Sequence, residues 1–273
     1  MADVRGLQVE EVLKVCRENT ARVYGLQEGG GREEGRRLVR SILEGLLGAV
    51  LGETRDTDIT DSMLACEQSS CEELNIRMAA LGVPCEVLVS AVVSPWLLYV
   101  QLVGPRTVAL AGLTAAMTEY YSVMENRQEH SVTAVDVGNL VAARFGGMSD
   151  FSRARVTALE DDGVELFFLD FGNISRTPVS EVFLLPASFL SLRHQAVRCS
   201  LAGVEPLGAG DWTEAAVDFL HWTVGCSSGE VLWARLLDWR MEGGALTPVV
   251  ELSCRGESVA VRMVGDGWAG FNQ

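Results

Sequence analysis

Between residues 140 and 178 four short apolar-rich segments follow one another with almost nothing between them, and no other stretch restricts the fold as much. They cover residues 140–145, 152–159, 164–170 and 175–178. Gly146-Gly147, Asp161-Asp162-Gly163 and Gly172-Asn173 join them. These residue types form tight turns because they tolerate positive φ or hydrogen-bond their own backbone. Short strands at this spacing predict a small β-barrel.

The flanks carry other periods. Val87, Val89, Ala91 and Val93 alternate, Ser94-Pro95 marks a turn, and residues 97–103 form a second strand that Gly104-Pro105 ends. Over residues 108–124, Leu110, Leu113, Met117, Tyr120 and Met124 recur at three- and four-residue steps, which predicts an amphipathic helix. Beyond Leu185-Pro186 the pattern predicts strands near 196–201, 231–237, 249–254 and 259–264, with a helix over about 212–224. Upstream, Val9, Val12 and Leu13, then Leu38, Ile42, Leu46 and Val50, give helical spacing on either side of a Gly-rich connection at 28–35. Residues 1–78 therefore read as a helical region of unknown role, and the chain as a whole as α+β. No internal repeat is visible.

Acidic residues outnumber basic ones 37 to 22 over the 273 residues, a formal charge of −15. Such a field repels phosphate backbones, whose attraction supplies most non-specific nucleic-acid affinity. It favours cationic partners such as arginine-rich peptides, although solubility alone also accounts for it. The seven cysteines (16, 66, 71, 85, 199, 226 and 254) form no CxxC pair, and the three histidines stand in no HExxH or HxE arrangement. Reduced, buried thiols and no metal or other cofactor are expected. Asp3 and Arg5 open the chain without a signal peptide, and the apolar run at 43–51 is broken by Glu44 and too short to span a bilayer. A soluble intracellular chain is expected.

Several separated motifs then occur in a specific order. Val137-Gly-Asn-Leu-Val-Ala-Ala-Arg-Phe145, Ser152-Arg-Ala-Arg-Val156 and Phe167-Phe-Leu-Asp-Phe-Gly-Asn173 resemble the core of a Tudor domain. Leu184-Leu-Pro, Phe189, Gln195-Ala-Val-Arg-Cys-Ser-Leu-Ala-Gly-Val204 and Gly267-Trp268-Ala are similar to the extended Tudor module. Gly104-Pro105-Arg106 and Met117-Thr-Glu-Tyr-Tyr121 look most like the Tudor and KH domain-containing, Papi-type branch, here without recognisable KH domains. The resemblance covers about residues 82–270. It implies a small Tudor barrel (about 136–186) inserted in a split staphylococcal-nuclease-like OB-fold domain, with halves at about 82–130 and 190–270. It implies a scaffold that is not an enzyme and that binds Arg-Gly or Arg-Ala segments of Piwi-type Argonaute proteins, often symmetrically dimethylated, in germline small-RNA silencing. It implies a location in the cytoplasm, in germ granules or at the mitochondrial outer surface.

Aromatic faces attract a guanidinium through the ring quadrupole and replace the water it loses. By the family pattern Phe145, Phe168 and Phe171 are cage walls, and the Asn173 amide orients the guanidinium. Read from the residues alone, a strand Phe more often fills a core. Alternation along the third barrel strand sets Phe168 and Asp170 on one face, and Phe167 and Leu169 on the other, toward the barrel interior. Where the family carries Trp-Tyr before Arg-Ala-Arg-Val, this chain has Phe151-Ser152, so one aromatic wall of the pocket becomes Ser152. Losing a cation–π wall of roughly 0.5–2 kcal/mol weakens methylarginine binding about two- to thirtyfold. Asp150, Asp161, Asp162 and Asp170 are candidate acids near the rim. Asp170 has two readings, a supporting acid for the ligand or a partly buried pair with Arg153 or Arg155.

Other classes have weaker support. A nuclease needs clustered carboxylates on a metal and arginines on phosphate, and Glu86 is the one acid in 85–103. An RNA-binding OB barrel conflicts with the charge, so no direct nucleic-acid contact is expected. A structural adaptor with a vestigial pocket remains an alternative because of Ser152.

Overall fold

The computed structural model describes residues 84–272 apart from 209, 227, 243 and 244. The helical region expected at 1–78 lies outside the described residues.

Strand β1 (Cys85–Ser94) turns Val87 and Val89 into the core, and beyond an irregularity in its pairing Val92 packs against the same core. The Ser94 hydroxyl accepts from the backbone N–H of Trp96 (3.2 Å) and Leu97 (3.1 Å), which turns the chain into β2 (Leu97–Leu102). Three later strands complete this layer: β8 (Val197–Leu201), β10 (Val231–Glu242) and β11 (Ala245–Cys254). β10 pairs with both β1 and β11, so β1-β2-β8-β11-β10 closes into a ring. All its pairings are antiparallel except β8 with β11. Its core holds Val87, Leu98, Val100, Cys199, Leu232 and Leu252 at 0–2% exposure, an interior that a one-face alternation produces without any cross-link. Two short strands, β9 (Val204–Glu205) and β13 (Gly270–Phe271), pair beside it.

Helix α3 (Glu214–Thr223) covers this core with Leu220, after Thr213 caps it by accepting from the Ala216 N–H. The strand expected at 259–264 is instead helix α4 (Val259–Gly265), which follows the two-residue β12 (Glu257–Ser258). Ser258 stands at its N-cap, accepting from the Val261 N–H at 3.5 Å. Val259, Ala260 and Met263 are buried at i, i+1 and i+4, while Val261 is 57% exposed. That is a helical stripe, and it overrides the β preference of the valines.

After β2 the chain forms helix α1 (Pro105–Ser122) and the short α2 (Met124–Glu129). Pro105 takes the first position of α1, where its missing N–H has no intrahelical partner to lose. Thr107 Oγ1 accepts from the Gly104 N–H and donates to the Leu102 carbonyl.

A second layer then follows: β3 (Leu140–Arg144), β4 (Phe151–Glu160), β5 (Gly163–Phe168), β6 (Ile174–Thr177) and β7 (Phe183–Leu184). The order is β6-β5-β4-β3-β7, and the strands curl as a barrel round Val141, Ala143, Ala154, Val156, Val164, Leu166, Phe168 and Val182. The two-residue β7 carries no alternation and was not expected as a strand. Tyr121 of α1 donates to the Leu184 carbonyl at 2.6 Å and packs with Met117 on Phe151 and Ala142, fixing the helix to the outside of this barrel. The chain then re-enters the first ring with β8 beside β2, Leu98 opposite Cys199. No helix among the described residues is long and apolar enough to cross a membrane.

Candidate functional site

Two turns meet at one end of the second barrel. β3 ends at Arg144, and Gly146 and Gly147 adopt φ values of 52° and 80° to carry the chain back toward β4. Register then sets Arg144 opposite Phe151 and Ala143 opposite Ser152. β5 ends at Phe168 in a tight turn. The N–H groups of Phe171 and Gly172 donate to the Phe168 carbonyl, and the Phe168 N–H donates to the Asn173 carbonyl. The strand register sets Ser152 on β4 opposite Ala143, one turn from Phe145, and the turn after β5 carries Phe171 and Asn173 just beyond Phe168.

Their environments differ. Phe168 is 0% exposed and belongs to the barrel core, with Phe145 edge-on to it at 5.4 Å between centroids and 82° between planes. Phe145 and Phe171 are half-buried and pack against the same core. Asn173 is half-buried, and its side-chain amide has no hydrogen bond among the described residues. Ser152 is 9% exposed and opposes Ala143, so two small side chains stand where the family pattern would set a ring.

The facing of β5 corrects the expectation for Phe167. Val164, Leu166 and Phe168 point inward, and Phe167 lies outside, tilted on Tyr99 at 5.6 Å with the Arg155 guanidinium 5.8 Å from its centroid. Glu165, between two apolar residues, carries that phase in the sequence. Leu169 is buried as expected, but in the turn that follows the strand.

Asp170 takes the ion-pair role. Its side chain is 2% exposed, with Oδ1 at 2.6 Å from Arg153 Nη2, Oδ2 at 2.9 Å from Nε, and the Gln195 N–H donating to Oδ1. A carboxylate so engaged has no free face for a ligand, so Asp170 is not a supporting acid in this geometry. Of the other rim acids, Asp150 is exposed at the mouth beside Phe151. Asp161 and Asp162 sit in the β4–β5 hairpin at the far end, roughly 30 Å along a ten-residue strand. They do not belong to the rim.

Residues of the first ring hold the pocket turn, and sequence reading missed them. Ser90 Oγ donates to the Phe171 carbonyl at 2.7 Å, and Gln101 Nε2 donates to the Asp170 carbonyl at 2.5 Å. Gly172, at φ 83°, lies so close to Tyr99 that a Cβ there would stand 2.1 Å from Tyr99 Cγ. Partners 69 to 81 residues apart leave no local signal. Beside this junction runs a groove of about 750 Å³, lined along α1 by Thr107, Ala111, Thr114 and Thr118, with Glu119, Asp150 and Phe171 also on its walls. Among the described residues no group of three or more His, Cys, Asp or Glu stands together to hold a metal.

The comparisons with known proteins agree with this geometry. A family model described as "Tudor domain" matches residues 81–203. The Drosophila melanogaster Papi extended Tudor domain superposes with a TM-score of 0.65 at 31% identity, covering 70% of this chain and 100% of that one. This chain belongs to the Tudor-domain family. Its extended Tudor architecture is of the Papi type. It is 42% identical to the Bombyx mori Tudor and KH domain-containing protein homolog over 137 residues, 48% of this chain and 22% of that protein. To the human Tudor and KH domain-containing protein it is 35% identical over 168 residues, 61% of this chain and 29% of that protein. The chain thus spans between 22% and 29% of the length of these relatives. A substituted Drosophila Papi extended Tudor domain, 30% identical with a TM-score of 0.66, has been solved with a Piwi N-terminal peptide in a dimethylated (me2s) and an unmethylated form.

Proposed function

We propose that the chain is a non-enzymatic reader of arginine-bearing peptides. The guanidinium enters between Phe145 and Phe171 and accepts orientation from the Asn173 amide, with Phe168 behind and the Ser152 side open. The peptide backbone continues along the groove beside α1, where Glu119 and Asp150 complement its positive charge. The partner is the arginine-rich tail of a Piwi-type Argonaute protein, in germline small-RNA silencing, at the cytoplasmic places named above. Residues 82–270 form the module, a Tudor core at about 136–186 within a split nuclease-like OB-fold.

One observation carries this reading. The half-buried rings of Phe145 and Phe171 pack against the one core that holds Phe168, and the half-buried Asn173 amide, two residues past Phe171, has no hydrogen bond among the described residues. The Asn173 side chain keeps contact with solvent, so its carbonyl is available to accept from a guanidinium. The test is calorimetric titration of the full chain with one Arg-Gly repeat peptide, unmethylated and symmetrically dimethylated. Native chain is expected to bind both weakly, and Phe171→Ala and Asn173→Ala to bind neither measurably. Equal binding by native and variant chains would remove the pocket from the account.

Full burial of Phe168 favours a second reading, an adaptor whose pocket is vestigial. In that case partners bind elsewhere, and all three chains capture them alike.

A further inference from the structure

We infer that the pocket is positioned from outside its own barrel: Ser90 on β1 and Gln101 on β2 set where the Phe171 ring and the Asn173 amide stand. The inference rests on the arginine-peptide reading above. Phe171 and Asn173 ride on the turn between β5 and β6, whose backbone must be held for its side chains to form a fixed wall. Two successive carbonyls of that turn are claimed by side chains of the first ring, Asp170 by Gln101 at 2.5 Å and Phe171 by Ser90 at 2.7 Å.

Ser90 is placed for this by an irregularity in its strand. β1 pairs Val89 with Val100 and Ala91 with Tyr99, so Ser90 is the extra residue of a bulge. A bulge re-aims a side chain that regular pleating would leave on the sheet face. Here the hydroxyl reaches across to the Tudor barrel and also meets the Tyr99 carbonyl at 3.3 Å. Gln101 is 6% exposed, so its amide has little water to exchange for the Asp170 carbonyl. Gly172 seated on Tyr99 supplies the third point of contact. Three contacts from one sheet fix both translation and tilt of the turn.

The test uses the full chain and an unmethylated Arg-Gly repeat peptide, with affinity read by calorimetry and amide shifts by NMR. The double variant Ser90→Ala/Gln101→Met is expected to bind about three- to tenfold more weakly, the scale of one or two lost neutral hydrogen bonds. The Phe171 and Gly172 amide signals should move in it. Ser90→Thr, which keeps the hydroxyl, should restore most of the affinity lost by Ser90→Ala. Leu232→Ala, in the core of the first ring, should lower the thermal midpoint without changing affinity. Phe171→Ala separates the two claims. If it leaves binding intact, the pocket reading fails and this inference falls with it. If it abolishes binding while the double variant binds as the native chain does, positioning alone is wrong. Equal loss in Leu232→Ala would also overturn positioning, because general destabilisation would then suffice.

Discussion

Arg153 and Asp170 meet as a two-point ion pair with both side chains out of water, at 0% and 2% exposure. The rest of the guanidinium is spent on carbonyls: Nη1 donates to Phe189 and Leu192, and Nη2 to Arg193. One side chain thus ties β4, the pocket turn and the segment returning to β8. Breaking a buried pair strands the partner charge and costs about 3–5 kcal/mol. Arg153→Met is therefore expected to lower unfolding free energy by that order in urea titration. Arg153→Lys should rescue little, because an ammonium cannot reproduce the fork. A change below about 1 kcal/mol would show that the hub is not structural.

Gly172 is held by two constraints at once, a φ of 83° and the Tyr99 ring beneath it. Gly172→Ala is expected to cost at least about 1–3 kcal/mol, from backbone strain with the clash added. In a double-mutant cycle with Tyr99→Gly, which also removes the Tyr99 Cβ that would stand 2.6 Å away, the clash part should be recovered and the φ part should remain. Full additivity would mean that the turn does not rest on Tyr99.

Ser152 pairs across the ladder with Ala143, so Ser152→Tyr meets a small side chain on β3. A ring there adds a cation–π face of roughly 0.5–2 kcal/mol, about two- to thirtyfold in affinity. The gain should favour the dimethylated peptide over the unmethylated one. Equal gains for both would indicate a change in packing only.

Burial pushes the Cys199 thiol and the Tyr121 hydroxyl up from their ordinary values of 9.0 and 10.0. Above pH 9.0 for Cys199 and 10.0 for Tyr121 the unfolded chain releases these protons while the folded chain keeps them. The unfolded state then binds fewer protons, so stability falls as pH rises, and it is flat for these groups below. Urea midpoints should drop between about pH 8 and about pH 11, and less steeply in Cys199→Ala. A midpoint that rises over that range would contradict the sign.

Much of the Tudor barrel was legible because its strands are short, local and separated by glycine-bearing turns. The phase of β5 was legible too, in Glu165 between Val164 and Leu166, but the double Phe at 167–168 obscured it. β7 escaped because two residues carry no period, and its pairing with β3 is purely tertiary. The 259–264 segment misled because Val259, Val261 and Val264 suggest a strand, whereas the Ser258 cap and the buried Met263 decide for a helix. The pocket's supports lie on β1 and β2, where nothing in Ser90 or Gln101 points to a partner so far along the chain. Aromatic identity could be read locally; the positions of those rings depend on the neighbouring sheet.

The most direct measurement of the central claim is a set of intermolecular nuclear Overhauser contacts between an Arg-Gly repeat peptide and the full chain. Contacts are expected from the arginine δ-methylene protons to the ring protons of Phe145 and Phe171, with the Asn173 side-chain amide shifted on binding. Binding whose contacts and shifts avoid that mouth, or no binding at all, would contradict it.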